Sequence, residues 1–165
     1  MLKVTVVVVA LLALAVPAAA GQSIERPFSE RLSGYTVDIH MPPDPGQCSE
    51  PSLWVSTSVG TGVVSHLGRV TWVERHCFQP SGTFSDVELV ITAANGDELF
   101  ATFDGGMTGP TTFAETVTIT GGTGRFVGAS GTVEETGWFD PTTGYMEITG
   151  VGSIVYDGSN RASSG

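Results

Sequence analysis

The sequence predicts an all-β protein that folds as a closed, eight-stranded antiparallel barrel. Three observations predict it. Helical periodicity is almost absent beyond the N-terminal segment, stretches rich in Val, Thr, Ile, Phe and Trp recur, and clusters of Gly, Pro, Asn and Asp separate them. Eight such stretches with short turns suit an up-and-down barrel, because closure removes exposed sheet edges. A β-sandwich is the alternative.

Residues 1–20 have the pattern of a secretory signal peptide. Lys3 precedes a long apolar run, and Ala18 and Ala20 are the small residues that a signal peptidase requires before Gly21. The run is too short for a membrane anchor and lacks a stop-transfer flank, and no later segment is apolar enough to span a bilayer. We therefore expect cleavage before Gly21 and a secreted, soluble chain.

The composition of the remaining chain predicts one acidic domain. Removal of 20 residues from 165 leaves about 145, which is enough for a single domain with its own core. The whole chain has 17 Asp and Glu against 7 Lys and Arg. Scattered arginines cannot form a phosphate-binding patch, so no nucleic acid partner is expected. We expect one barrel domain over 21–156 and a polar C-terminal tail over 157–165 that frays.

The strands follow in chain order, with turn signals between several of them. Asn95-Gly96-Asp97 predicts a type I′ hairpin between the fourth and fifth strands, because Asn-Gly accepts positive φ angles. Residues 141–144 predict the turn between the last two strands. Alternation is clearest in the sixth strand, where a mostly apolar face (Phe113, Glu115, Val117, Ile119) opposes small polar residues. The predicted strands span 33–41, 53–64, 67–78, 84–94, 98–104, 111–120, 131–140 and 145–156.

Cys48 and Cys77 are the only cysteines, and an even count in an exported chain predicts one disulfide. A chain reversal around residues 60–62 would bring them nearly opposite each other across a hairpin. The prolines within 41–51 remove sheet hydrogen-bond donors, so this segment is predicted to be a long loop held by the disulfide. Free thiols or a catalytic cysteine are the alternative, which oxidation outside the cell disfavours.

The glycine-dense stretch 121–131 has two interpretations, a nucleotide-binding loop or a structural turn. It looks like the Gly-rich turn of short-chain dehydrogenase-type proteins, and Asp140 falls near the spacing of a ribose-binding acid. That motif needs a helix whose N-terminus faces the pyrophosphate. Residues 132–140 alternate as a strand instead, and fewer than 40 residues remain after the motif. We therefore predict a structural turn and no nucleotide cofactor.

Three segments resemble one family. Gly121-Gly122-Thr123-Gly124-Arg125-Phe126 resembles the segment before a late strand in allene oxide cyclase and dirigent proteins. It is still more similar to a set of secreted bacterial allene oxide cyclase-like barrels. Ser65-His66-Leu67-Gly68-Arg69 and the hairpin over 93–100 resemble two further elements of that bacterial set. The resemblance implies a calycin-like, eight-stranded antiparallel barrel with a lumen, in which Phe126 plugs one end.

The resemblance says less about activity. Allene oxide cyclase steers a ring closure in an apolar cavity, and dirigent proteins orient phenoxyl radicals. The cavity residues that the plant members use do not match identifiable positions here, so no catalytic role is transferred. The plant relatives form trimers, but no intersubunit face can be identified in this chain, and its oligomeric state stays open.

Five polar residues are considered as candidates for chemistry. Glu74 and His76 share a strand face, but such a pair is more often solvated or structural, and without a third ligand we expect no metal. His66 is a catalytic candidate through the family match, although a structural role, in which its polar side chain fixes a turn between strands, is favoured. Glu134 and Glu135 point to opposite faces of a strand, and either becomes an acid–base candidate if it faces the lumen; Glu135 is the one we select. A solvated glutamate is the favoured interpretation.

The large apolar side chains are the candidates for filling or lining the lumen. An eight-stranded barrel is just wide enough to be packed solid or to hold one small ligand. The candidates are Trp54, Trp72, Phe100, Phe103, Phe113 and Trp138. We expect a non-catalytic module that binds a small apolar molecule or serves a structural role, with an extracellular cyclase or dirigent-like isomerase as the alternative. A desolvated Glu or His in an aromatic lumen would favour the enzyme.

Overall fold

Eight antiparallel strands pair in chain order, and β1 pairs with β8 to close the sheet into a barrel. The structure, a computed structural model, describes residues 24–157; the predicted signal peptide and residues 158–165 of the predicted tail lie outside that range. The predicted fold class is therefore confirmed. The strands are β1 (Ile24–His40), β2 (Trp54–Val64), β3 (Gly68–Phe78), β4 (Phe84–Ala93), β5 (Glu98–Met107), β6 (Thr112–Gly122), β7 (Ser130–Phe139) and β8 (Tyr145–Tyr156).

The first strand is longer than predicted, because it begins at Ile24 rather than at residue 33. Its inward-facing residues include Phe28, Glu30 and Leu32, all buried. An inward carboxyl group interrupts the apolar alternation that marks a half-buried strand, and the predicted strand begins only after it. Both predicted hairpins are confirmed, and each contains a glycine with positive φ, Gly96 at 86° and Gly144 at 71°. The predicted type I′ turn is wrong, because Asn95 does not have a positive φ; the Gly96 N–H donates to the Ala93 carbonyl oxygen, as in a type I turn that ends on a left-handed glycine.

The two ends of the barrel are distinguished by their connections. The β2–β3, β4–β5 and β6–β7 connections lie at the end where β1 begins and β8 finishes, here called the closed end. The other four connections lie at the opposite end, here called the open end. Alternate residues of every strand point inward, and the buried core extends from the closed end into the walls of the open half. No helix within the described residues is long and apolar enough to cross a membrane.

The glycine-dense stretch forms the closed end. After β6, a short 3₁₀ helix at Gly124–Phe126 precedes β7, so a turn between antiparallel strands replaces the helix that a dinucleotide site requires. Gly124 has φ +54°, and a Cβ there would collide with the Asp97 carboxylate. Arg125 Nε lies 3.1 Å from Asp97 Oδ2. Phe126 is completely buried, with its ring centroid 5.0 Å from that of Tyr156.

The predicted disulfide joins Cys48 to Cys77, with their Cα atoms 6.0 Å apart. It anchors the loop between β1 and β2 to the end of β3, at the open end of the barrel. The chain reversal expected around 60–62 is wrong, because β2 continues to Val64 and the turn occupies 65–67. Gly60 instead lies inside the barrel wall, where its backbone faces the Trp72 ring.

Candidate ligand-binding site

The open half of the lumen contains a cavity of about 570 Å³. This volume lies within the range of small-molecule sites in proteins. Ile39 and Met41, both exposed, lie at its rim. On β3, Phe78, His76 and Glu74 line it in succession, whereas the next inward residue, Trp72, does not. The cavity therefore extends from the open end to a floor at the level of Glu74.

The walls of the cavity are aromatic. Trp54 stacks on Phe78 with a centroid distance of 4.2 Å and an interplanar angle of 15°. Phe84 packs edge-to-face against Phe103 at 5.8 Å and Phe113 at 6.3 Å. Such geometries are favourable because the positive edge of one ring meets the negative face of another. The rings stabilise one another and present apolar surface to whatever enters.

The first polar group of the floor is a hydrogen-bonded chain of three side chains. His76 Nδ1 donates to Glu74 Oε1 at 2.8 Å, and the Ser56 hydroxyl lies 3.1 Å from His76 Nε2. All three residues line the cavity, and Glu74 and Ser56 are buried. Of the two expectations for the Glu74–His76 pair, the solvated face is wrong, because even-numbered residues of β3 point into the lumen, whereas a hydrogen bond within the pair is found. A carboxylate that orients an imidazole in this way is a general-base arrangement.

The second polar group is a row of three buried carboxyl groups across adjacent strands. Glu115 on β6 lies directly opposite Glu135 on β7. Glu135 and Glu30 both lie opposite Gly150 on β8. A Cβ at Gly150 would lie 2.5 Å from Glu30 Oε1 and 2.9 Å from Glu135 Cγ, so the missing side chain leaves the space in which the two acids meet. Glu135 lies close enough to both of the other carboxyl groups for each to affect its pKa, so the protonation of the three acids is linked.

Burial governs the ionisation of this row. Desolvation raises the pKa of Glu115 to about 8, and the nearby Glu74 charge adds to the effect. Burial, together with the neighbouring Glu30 and Glu115 carboxyl groups, also raises the pKa of Glu135 well above its usual range. Burial likewise raises the pKa of Glu30, and the neighbouring Glu135 carboxyl group partly lowers it. Glu115, which alone of the three lines the cavity, is therefore mostly protonated at neutral pH.

Glu135 and His66, the two catalytic candidates from the sequence, lie far apart in the fold. Glu135 points inward and is only 3% exposed, so the expectation of a solvated glutamate is wrong for it, whereas its neighbour Glu134 is exposed. His66 lies in the β2–β3 connection at the closed end, with Nε2 2.9 Å from the Pro27 carbonyl oxygen and its ring against Tyr156. That arrangement braces the turn, away from the cavity.

The six apolar candidates separate into three groups. Trp54, Phe103 and Phe113 line the cavity. Trp72 is buried below its floor, inside the barrel. Phe100 and Trp138 are 36% and 42% exposed on the outer surface, so the expectation that they belong to the interior is wrong. A single strand does not show which of its faces points inward, and an exposed aromatic residue on the outer face has the same local pattern as a core one.

The sequence nevertheless contained a signal for the residues that were missed. Glu115 lies on the predicted apolar face of β6, together with Phe113 and Val117, and Glu30 has the same two-residue spacing from Phe28 and Leu32. A carboxyl group that shares a strand face with apolar residues points in the same direction as they do, so it is buried wherever that face forms the core.

A third grouping of potential ligand atoms lies outside the cavity. The sulfur atoms of Cys48 and Cys77 and a carboxylate oxygen of Asp86 lie within 4.8 Å of one another. The two sulfur atoms are joined in a disulfide and are not thiolates, so this grouping does not have the donor chemistry of a zinc site.

No family model and no curated protein matches the chain. Among solved structures, the pterocarpan synthase dirigent protein GePTS1 is similar with a TM-score of 0.57 and 15% identity, over 88% of this chain and 97% of that one. The pterocarpan synthase dirigent protein PsPTS1 gives a TM-score of 0.52 and 12% identity, over 82% and 97%. The barrel has a dirigent-like fold. At these identities the likeness shows the fold and does not transfer an activity.

Proposed function

We propose that the barrel binds a small, largely apolar molecule in the open half of its lumen. The aromatic cavity of about 570 Å³ supports this proposal. Ligand sites of this kind combine apolar walls with a few convergent polar groups that fix orientation. Here Trp54, Phe84 and Phe103 supply the walls, and Glu115 and His76 supply the polar groups. The ligand therefore carries at least one polar group that reaches the floor.

The proposal is tested with a neutral fluorescent probe, N-phenyl-1-naphthylamine, and with native mass spectrometry of the purified protein to detect a copurifying small molecule. Met146→Trp narrows the cavity from β8, whereas Val151→Trp places the same side chain on the exposed outer face of that strand. We expect Met146→Trp to weaken probe binding about tenfold, because overpacking removes the space that the probe needs. Equal binding by the two folded variants, or no binding to the wild type, contradicts a luminal site.

We also propose that the chain is exported and belongs with the secreted bacterial allene oxide cyclase-like barrels that its motifs resemble. The leader pattern of residues 1–20 and the Cys48–Cys77 disulfide support export, since disulfides persist in oxidising compartments. N-terminal sequencing of the protein recovered from the culture medium tests this directly. Export with cleavage gives a chain that begins at Gly21; a full-length protein retained in the cytosol contradicts it.

A second candidate function is an isomerase or cyclase that acts on the bound molecule. A protonated acid, Glu115, and the Glu74–His76 pair line the same cavity, so one could donate a proton and the other accept one from a single substrate. Pterocarpan formation, the reaction named for the two solved neighbours, is the first assay. Turnover by the wild type that is lost in both Glu115→Gln and His76→Phe supports this candidate, whereas turnover independent of both residues contradicts it.

A further inference from the structure

We propose that the ligand of this cavity is a cation, an apolar molecule whose protonated amine lies against Glu115 between the aromatic walls. The inference rests on the proposed luminal site and names the chemical class of its ligand.

The first argument is a charge imbalance inside the barrel. The inward-facing ionisable groups of the floor are Glu30 on β1, Glu74 and His76 on β3, Glu115 on β6 and Glu135 on β7. No Lys or Arg is among the described residues that line the cavity. Buried carboxylates in proteins are paired with a cation or held neutral at a cost. One imidazole faces four carboxyl groups, so the site lacks positive charge.

The second argument is that the carboxyl row lacks donors from the chain. Both oxygens of Glu30 and Oε1 of Glu135 are buried without a hydrogen-bond partner among the described residues. Glu115, 5% exposed and facing the cavity, lies directly across the strand pair from Glu135, which is itself an acid and brings no positive charge. An unpaired buried acceptor is expensive. An ammonium group has only donors, so it supplies what this floor lacks.

The third argument is the placement of the rings. Phe113 precedes Glu115 by two residues on the same inner face of β6, and Phe103 and Phe84 complete the adjacent wall. The negative face of an aromatic ring attracts a cation within about 6 Å, and the attraction strengthens when both are desolvated. Aromatic walls over a carboxyl floor therefore suit an ammonium group with an apolar body, whereas an anion would be repelled by the same floor.

Binding of this kind moves one proton. In the empty cavity Glu115 is mostly protonated at neutral pH, and an ammonium ion in contact with it favours the carboxylate. The neutral acid and the ammonium ion become an ion pair, and the acid proton leaves to solvent; no other bond forms or breaks. A neutral ligand whose oxygen accepts a hydrogen bond from protonated Glu115 is the competing class, and it releases no proton.

The experiment compares 4-phenylbutylamine with its neutral isostere 4-phenylbutan-1-ol by calorimetry at pH 7, in buffers of different ionisation enthalpy. We expect the amine to bind at least about tenfold more tightly, with release of about one proton, and the alcohol to release none. In Glu115→Gln the preference and the proton release disappear while alcohol binding is retained. Glu134→Gln, an exposed position on β7, is the matched control and leaves both unchanged.

The outcomes separate the two proposals. Equal or tighter binding of the alcohol by the wild type overturns the cationic ligand and leaves the luminal site standing. An amine preference that survives in folded Glu115→Gln also overturns it, because the charge would then act elsewhere. Failure of both probes to bind the folded wild-type protein overturns the cation proposal together with the luminal binding site.

Discussion

The closed and open ends of the barrel are built from the same eight strands but differ in what their connections contribute. At the closed end, the β6–β7 connection inserts Phe126, which is completely buried. At the open end, the connections stay at the rim and the inward side chains of the strands enclose a cavity. The closed end is held by a packed side chain, whereas the open end is held by the Cys48–Cys77 bond.

The difference shows how one barrel separates stability from binding. A plug that excludes water from one end allows apolar residues to pack there at normal interior density. The open end keeps buried acids such as Glu115 and Glu135, whose desolvation costs stability but provides polar groups to a ligand. Buried groups that weaken a fold are expected at functional sites.

Removal of the plug is the strongest test of this comparison. We expect Phe126→Ala to lower the free energy of unfolding by about 3–5 kcal/mol, because it leaves a cavity among fully buried neighbours. The measurement is urea unfolding followed by tryptophan fluorescence. Phe100→Ala, at an exposed position on the outer face of β5, is the control and should cost less than about 1 kcal/mol. Similar losses in both variants would show that Phe126 does not plug the closed end.

Removal of the disulfide should destabilise the protein through the open end of the barrel. Replacement of both Cys48 and Cys77 by Ser removes a cross-link that spans 29 residues, and we expect a loss of about 3–4 kcal/mol, mainly through the unfolded chain. The same unfolding experiment measures it, with dithiothreitol-treated wild type as the matched comparison. Probe binding in the cavity should weaken in this variant and stay unchanged in Phe126→Ala. The opposite pattern would reverse the assignment of the two ends.

The buried acid predicts a pH dependence with a definite sign. Because the pKa of Glu115 is about 8 in the folded protein and 4.5 normally, the folded state holds this proton more tightly than the unfolded state. Stability from this group is therefore complete below about pH 4.5 and is lost as the pH rises through about 8. We expect Glu115→Gln to be more stable than the wild type by about 2–4 kcal/mol at pH 8.5, with the difference shrinking towards pH 4.5.

Urea unfolding of the wild type, Glu115→Gln and Glu134→Gln across that pH range measures this effect. Glu134 is exposed on the outer face, so its variant should follow the wild-type curve. A Glu115→Gln curve parallel to that of the wild type would mean that Glu115 ionises normally and is not desolvated at the floor.

The smallest expected effect concerns the ion pair beside the plug. Arg125 and Asp97 are 33% and 17% exposed, so solvent screens their attraction. A double-mutant cycle with Arg125→Gln and Asp97→Asn should give a coupling free energy of about 0.5 kcal/mol that falls with added salt. A salt-independent coupling above about 2 kcal/mol would make this pair, rather than Phe126 alone, a principal support of the closed end.

Much of the fold could be predicted because its determinants are local. The Asn95-Gly96-Asp97 turn needs positive φ at Gly96, and the strand that follows the glycine stretch excludes a dinucleotide loop. The cavity could not be predicted in the same way. Trp54 and Trp138 have equivalent local patterns, yet one lines the cavity and the other is exposed, because the closing pairs of the barrel decide which face of each strand points inward.

The sequence by itself determined the class of fold, the disulfide and the structural role of the glycine stretch, since each depends on backbone preference or covalent chemistry within a short segment. Only the tertiary structure decided that Glu30, Glu115 and Glu135 meet. They come from β1, β6 and β7. Gly150 on β8 leaves room for the side chains of Glu30 and Glu135, because a Cβ at that position would collide with both. Closure of the barrel brings these distant residues into one buried row, and burial changes their chemistry.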